Sequence, residues 1–375
     1  MRGLLFLCPD RPNSRPPSHP TAHPVVDRAQ SLHMDSASPV FVTGGTGLVG
    51  SFVLRYLLHR GYTQVRALRR ATSTLDLVSD IRERIDWVEG DLLDVDALEA
   101  GMEGATTVYH CAASIDHRPR GRAVMRRTNV TGTATVVNAA LHCSVSQLCH
   151  VSSTAALGRR PGLTQIDERT EWKADDWNSA YAVSKYDAEL EVRRGEAEGL
   201  RVLIVNPSLV MGPGRWDRGM PRWLSNVDRG LRFYPTGGGG LVDVRDVATF
   251  MVRAVEASYF GERYVLNATN LPYRTVFDEI ADLLDRPRPK TPVTPLLQAL
   301  AWRWEALRAR LSAGHEPLVT RETASNSART FHYDGTAATR LPGFAYRDWR
   351  NSLRDLVACF PDGYAGGPNC PYAFN

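Results

Sequence analysis

No apolar run in this chain approaches the roughly 20 residues needed to cross a bilayer, so the sequence offers no membrane span. Cysteine is scarce and unpatterned. The six that occur (Cys8, Cys111, Cys143, Cys149, Cys359 and Cys370) form no Cys-x-x-Cys pair and no regular framework. A small disulfide-built scaffold is thereby excluded, and a reduced compartment, the cytoplasm, is expected. No metal site is expected either. Charge of one sign is also lacking: the formal net charge is +4, no basic run stands out, and nothing suggests a nucleic-acid partner. What remains is an ordinary globular composition, 43% apolar and 23% charged over 375 residues, enough for one large core or two domains.

Residues 1–38 lack periodic apolar residues beyond Leu4 to Leu7 and are rich in Pro, Ser, His and Arg, so they read as a disordered tail. Their arginines and few acids would also suit a targeting segment. Met34 lies just before the first expected strand and makes a natural start, so a mis-called start codon is the leading explanation of the tail.

The texture changes at Pro39. An apolar strand, Val40-Phe41-Val42, runs into Thr43-Gly44-Gly45-Thr46-Gly47-Leu48-Val49-Gly50, and an amphipathic run follows until Gly61. Strand, GxxGxxG turn and helix together lay a pyrophosphate on a helix N-terminus, where free N–H groups and the helix dipole favour negative charge. Glycines there serve a tight turn, close backbone approach to phosphate, and close helix–strand packing. Gly44, Thr46, Gly47, Leu48, Val49 and Gly50 are therefore candidate cofactor contacts; a ligand-free glycine turn is the plainer alternative.

Thr63 to Leu68 reads as the next strand, and its end is where such a fold reads the adenosine ribose. A carboxylate there would repel a 2′-phosphate. This chain has Arg69 and Arg70 instead, which can hold that phosphate, so NADP is expected, with NAD left open. The alternative is a solvated arginine pair. Trp87 to Leu92 is a further strand ending in Asp91, which either reaches the adenine amino group or caps a helix starting near Val95. Thr107 to Ala113 is another, ending in the small residues Ala112 and Ala113, suited to close passage of a cofactor.

Leu148 to Thr154 is a strand running into three hydroxyls, and Tyr181-Ala182-Val183-Ser184-Lys185 places a phenol and an ammonium four residues apart on one helix face. A phenol ionises near pH 10, too high for neutral proton exchange. An adjacent ammonium, and a nicotinamide carrying positive charge when oxidised, would favour the phenolate and lower that value, letting Tyr181 exchange a proton with a carbonyl or alcohol oxygen while Ser153 fixes the same oxygen. Alone, Tyr-x-x-x-Lys is weak and is mostly surface decoration; its weight comes from following the glycine turn and the hydroxyl-ended strand in order.

With these landmarks, the chain resembles the extended short-chain dehydrogenase/reductase superfamily from about Val40 to Phe360. The resemblance is carried by the glycine turn, Asp91-Leu92, His110-Cys111-Ala112-Ala113, Asn129-Val130-Thr131-Gly132-Thr133, Val151-Ser152-Ser153, Tyr181 to Lys185, Asn206-Pro207-Ser208-Leu209-Val210-Met211-Gly212-Pro213, and Val242 to Ala248. It implies catalysis by Ser153 (Thr154 being the fallback), Tyr181 and Lys185. It also implies cofactor contacts at Gly44, Gly47, Gly50, Asp91, Leu92, Asn129, Tyr181, Lys185, Asn206 and Pro207. Asn206 to Pro213 and Glu316 to Glu322 are most similar to the dihydroflavonol-reductase-like branch, while leucine before Gly158, where sugar-modifying members often have tyrosine, weakens a sugar substrate.

The implied fold is α/β, a Rossmann doubly wound parallel sheet with a smaller, mostly helical C-terminal substrate-binding domain. Residues 39–207 and 241–268 would bind NAD(P), 208–240 and 269–360 would bind substrate, and 361–375 would be a tail. His117, Arg118, Arg120, Met211 to Met220 and Phe233-Tyr234 are candidate substrate contacts. Gly237 to Gly240 reads as a flexible turn. Leu296 to Leu311 reads as an amphipathic helix docked on its own domain rather than on a membrane surface. The expected activity is NADP-dependent interconversion of a ketone or aldehyde and an alcohol on a small hydrophobic substrate. The alternatives are a nucleotide-sugar epimerase or dehydratase with bound NAD, and a non-catalytic NADPH-sensing regulator. A homodimer stays open.

Overall fold

Alternate residues of the first strand point to opposite faces, and the two faces gather two different cores. Val40 and Val42 pack with Phe52, Val244 and Val247, whereas Phe41 packs with Leu98, Val136 and Val192. This is the two-sided burial that a parallel sheet requires. The computed structural model describes residues 37–116, 119–294, 297, 303–304, 327–361, 370 and 372–374.

Seven strands form the sheet: β1 (Val40–Thr43), β2 (Val65–Arg69), β3 (Asp86–Glu89), β4 (Thr107–His110), β5 (Gln147–Val151), β6 (Arg201–Pro207) and β7 (Arg263–Leu266). Their order is β7-β6-β5-β4-β1-β2-β3, with every pairing parallel. Helix α1 (Leu48–His59) and the later α5 (Val244–Glu256) cover one face. Helices α2 (Val95–Met102), α3 (Gly132–His142) and α4 (Ala180–Ala197) cover the other. The chain leaves β1 toward β2 and β3, then returns to pair β4 on the other side of β1. That reversal opens a crevice at the carboxyl ends of β1 and β4, where Thr43 faces His110 in register. The fold class expected from the sequence is the one observed.

Beyond β6 a three-stranded sheet joins Leu209–Met211, Gly238–Asp243 and Thr269–Pro272, with helices Pro221–Asp228, Tyr273–Leu283 and Trp349–Ala358 around it. The glycine run is thus not a flexible turn. Gly238 to Gly240 begin a fully buried strand, and at Gly238 and Gly240 there is no room for a side chain. A Cβ on Gly238 would lie 2.7 Å from the Leu271 carbonyl oxygen, and one on Gly240 would lie 2.0 Å from Asn267 Oδ1.

The chain end also departs from expectation. Cys359 and Cys370 form a disulfide, so not all cysteines are unpaired. Tyr372 is buried edge-on against Phe52 (5.8 Å between ring centres), and Phe374 packs on Tyr56 at 4.8 Å. Within the expected C-terminal tail, these two residues are docked on α1. Met34, nearly all of Leu296 to Leu311, and Glu316 to Glu322 lie outside the described residues; no described helix is long and apolar enough to cross a membrane.

Candidate active site

The glycine turn is built for close approach. Gly44 follows β1 with φ +71°, a left-handed conformation, and a Cβ there would sit 2.6 Å from the Ala112 nitrogen. Gly50 lies under the turn, where a Cβ would come within 2.2 Å of the Gly44 carbonyl oxygen. Gly47 is the N-cap of α1, is exposed, and offers no side chain to the helix's first N–H groups. Those donors therefore face the crevice, flanked by Thr46, Leu48 and Val49, which are half-buried. This cradle fits the pyrophosphate of a nicotinamide dinucleotide.

At the end of β2, Arg69 is paired with Glu89 at the end of β3, 3.0 Å away, while Arg70 is exposed. A 2′-phosphate at this edge would meet Arg70 directly and would compete with Glu89 for Arg69. Asp91 is exposed and, among the described residues, its side chain accepts from the Leu93 N–H at 3.3 Å; the cap of α2 is Asp94, which accepts from Ala97 at 3.1 Å. Of the two roles open to Asp91, the helix cap is therefore taken by another residue. Leu92 is buried, its side chain lying in the core beneath Gly132.

Ala112 is half-buried and Ala113 exposed, where the chain passes the glycine turn. Asn129 is fully engaged elsewhere. Its Oδ1 accepts from Ser114 N–H at 2.7 Å, and its Nδ2 donates to Ser114 O and Ser184 Oγ. It clamps the loop after β4 to α4, so its side chain has little left for a cofactor.

The hydroxyl-ended strand and the Tyr-x-x-x-Lys helix meet at the carboxyl end of β5. Ser179 caps α4 by accepting from Ala182 at 3.0 Å, which starts the helix immediately before Tyr181. Ser153, not Thr154, is hydrogen-bonded to the Tyr181 phenol, and its Oγ also accepts from Ala155 at 3.1 Å. Thr154 is buried in the turn behind it. Lys185 is 2% exposed and donates to the Val151 carbonyl at 2.8 Å.

The electrostatics differ from the sequence expectation. Burial raises the Tyr181 phenol above its usual value, and the Ser153 hydrogen bond offsets only part of that. Lys185 does not lower it here, because its ammonium is committed to Val151 O and to the field of Glu189. Burial in turn pulls Lys185 down to about 8, with Glu189 holding its proton against that trend.

The linkage has a definite sign. A buried charged lysine destabilises the folded state, fully below about pH 8, and the penalty fades as pH rises toward 10.5, the ordinary lysine value. We expect the melting-temperature gain of Lys185→Met over wild type to be largest at pH 7 and to shrink by pH 10. Calorimetry across that range tests it; a pH-independent difference would contradict the buried ammonium.

Glu189 is a residue the sequence reading missed. It lies one turn beyond Lys185, is 2% exposed, accepts from Asn206 Nδ2 at 2.6 Å, and is 3.4 Å from Arg263 on β7. The repeat Tyr181, Lys185, Glu189 at four-residue spacing was the available signal. Asn206 Nδ2 also donates to Ser153 O at 2.9 Å, which ties it to the serine loop, while its Oδ1 is buried without a hydrogen-bond partner; Pro207 beside it is buried.

Among the expected substrate contacts, Met211 and Met220 belong to the core, at 0% and 1% exposure. Phe233 is exposed, Tyr234 is buried beneath Arg274, and Arg120 is exposed. His117 and Arg118 lie outside the described residues.

Comparison with known proteins gives the same outline. The model of the NAD dependent epimerase/dehydratase family matches residues 40–267. A Synechocystis protein named "Putative dihydroflavonol 4-reductase" is 34% identical over 86% of this chain and 95% of its own. Cinnamoyl-CoA reductase 2 of Arabidopsis thaliana is 30% identical over 64% of this chain and 76% of its own. Among solved structures, gox2253 superposes with a TM-score of 0.70 at 31% identity, over 86% of this chain and 97% of that one. DesIV, a dTDP-glucose 4,6-dehydratase from Streptomyces venezuelae solved with NAD and TYD, shares the fold at TM-score 0.68 and 21% identity, over 85% and 95%.

Proposed function

The chain belongs to the NAD dependent epimerase/dehydratase family, and from that premise we propose that it reduces a ketone or aldehyde to an alcohol with NADPH, at a site formed by Ser153, Tyr181 and Lys185. The observation that carries this reading is the Ser153–Tyr181 hydrogen bond beside a buried Lys185, at the strand ends that also hold the glycine cradle. The resemblance to relatives named as reductases supports it.

NADPH, when bound, supplies the hydride for the carbonyl carbon. The substrate oxygen sits between Ser153 Oγ and the Tyr181 hydroxyl, and Tyr181 gives it a proton. A phenol pushed up by burial is fully protonated at neutral pH, which suits the donor's role. The Val151 bond uses one of the three Lys185 donors; with the cofactor bound, the others would hold the nicotinamide ribose and bring positive charge beside the phenolate left behind. Glu189 and Asn206 position Lys185 and the serine loop. Substrate would be drawn from the side of residues 208–240 and 269–360, outside the NAD(P)-binding segments.

Titration of the purified protein with NADPH and NADH, followed by nicotinamide fluorescence, tests the reading. NADPH preference with dissociable cofactor supports it. NAD retained through purification would favour epimerase or dehydratase chemistry, and binding of neither would overturn the catalytic reading.

Arg69→Asp is expected to reduce NADPH affinity about tenfold to a hundredfold relative to NADH, since charge-assisted hydrogen bonds are worth about 1.5–3 kcal/mol. The same titration reads it, and an unchanged ratio would remove Arg69 from the 2′-phosphate.

A further inference from the structure

Immediately beyond the serine turn lies a cluster that the reaction above does not use. Arg159 follows Gly158, and its backbone N–H donates to Asn178 Oδ1 at 2.7 Å, tying it to the segment that leads into Tyr181. Its guanidinium lies over the Phe331 ring at 5.0 Å and donates to Tyr333 Oη at 3.1 Å. Its Nε is buried and has no hydrogen-bond partner. Arg329 stacks on Trp177 at 3.8 Å, four residues before Tyr181, and feels the charge of Arg159. Phe331 and Tyr333 are buried (4% and 5% exposed), and Tyr273 stands close enough to interact with both Arg159 and Tyr333.

Among the described residues neither arginine forms an ion pair with a carboxylate. Asp175 influences Arg329, but its Oδ1 accepts from the Trp177 N–H at 2.8 Å. Two guanidiniums of like charge between aromatic walls, one with a buried orphan N–H, is a costly arrangement without an anion. Stacking occupies a guanidinium's faces and leaves recognition to its in-plane N–H groups, of which Arg159 Nε lacks an acceptor, and a guanidinium edge matches two oxygens of an oxyanion.

We propose that Arg159 and Arg329, with the hydroxyls of Tyr273 and Tyr333, bind an oxyanion on the substrate, so that the substrate carries a carboxylate or phosphate as well as its reactive carbonyl. This deepens the carbonyl-reductase reading and rests on it for where the other end of the substrate lies.

The test measures binding without turnover. The full chain is saturated with NADP and titrated calorimetrically with 4-formylbenzoate, 4-formylphenyl phosphate and the neutral methyl 4-formylbenzoate. At least one anion is expected to bind about tenfold or more tightly than the ester, as a charge-assisted pair implies; which anion is tighter identifies the group. Arg159→Gln should bring that ratio close to one and Arg159→Lys should restore part of it, with NADP affinity unchanged in both. Arg329→Gln, at a separate place in the cluster, should lower the ratio without touching the serine turn. Tyr181→Phe should keep it, and a failed reduction reading would appear as a wild-type protein that keeps the anion preference yet reduces none of the three probes with NADPH. Equal binding of all three probes, binding of none, or an Arg159→Gln protein with the wild-type ratio would overturn the proposal.

Discussion

Tyr181→Phe lowers kcat by about a hundredfold to ten-thousandfold, the range of a positioned proton donor, while NADPH binds as in wild type. The reason is local. The substitution removes one hydroxyl from a helix whose Ser179 cap and whose Lys185–Val151 bond are untouched. The ring stays where the cofactor needs it, and only the proton is lost. Ser153 keeps its contact with the Ala155 N–H, so the serine turn should hold its shape. Steady-state kinetics with a reducible aldehyde, beside a fluorescence titration of NADPH, separate the two effects. Activity within threefold of wild type would mean that Tyr181 is not the donor.

Gly50→Ala should abolish measurable NADPH binding and lower stability, although helix propensity alone argues the reverse. In an open helix position, alanine in place of glycine gains about 1 kcal/mol. Here the new Cβ would lie 2.2 Å from Gly44 O and 2.7 Å from Gly44 C, both backbone atoms of the phosphate turn. Relief requires the turn or the helix to move, at a cost of about 1–3 kcal/mol for overpacking, so the steric effect wins. The moved turn no longer presents the N–H groups of α1. Gly61→Ala is the control: Gly61 has φ +88° but nothing within 4 Å of its Cβ, so it should cost some stability and leave NADPH affinity unchanged. A Gly50→Ala protein that binds NADPH normally would rule out the close-approach account.

The sheet and the glycine turn were legible in the sequence because they rest on local periodicity. Val40-Phe41-Val42 and Val202 to Val205 are short apolar runs bounded by polar residues, and the turn announces itself by three glycines at fixed spacing. Roles set by distant partners were not. Glu89 meets Arg69 only because β2 and β3 pair in that register, which no local pattern states. The Gly237 to Gly240 run looked flexible because four glycines in isolation are flexible; here Leu271 and Asn267, close in space but distant in sequence, make glycine a packing requirement. The burial that raises the Tyr181 phenol, and the turn of Lys185 toward the Val151 carbonyl, are likewise set by the packing around α4 and not by the four-residue spacing. Arg159 was invisible for the same reason, since Phe331 and Tyr333 come from the far end of the chain.

The docking of Tyr372 and Phe374 on α1 has a consequence for how the protein is made. Phe52 and Tyr56 are synthesised roughly 300 residues before the rings that cover them, an interval of tens of seconds at about 5–20 residues per second. Throughout that interval the nucleotide helix carries a bare aromatic face, and the nascent chain must be kept from using it elsewhere. Removing Tyr372 and Phe374 would leave that face of α1 uncovered, so the damage would be felt at the helix beneath the phosphate turn, far away in sequence.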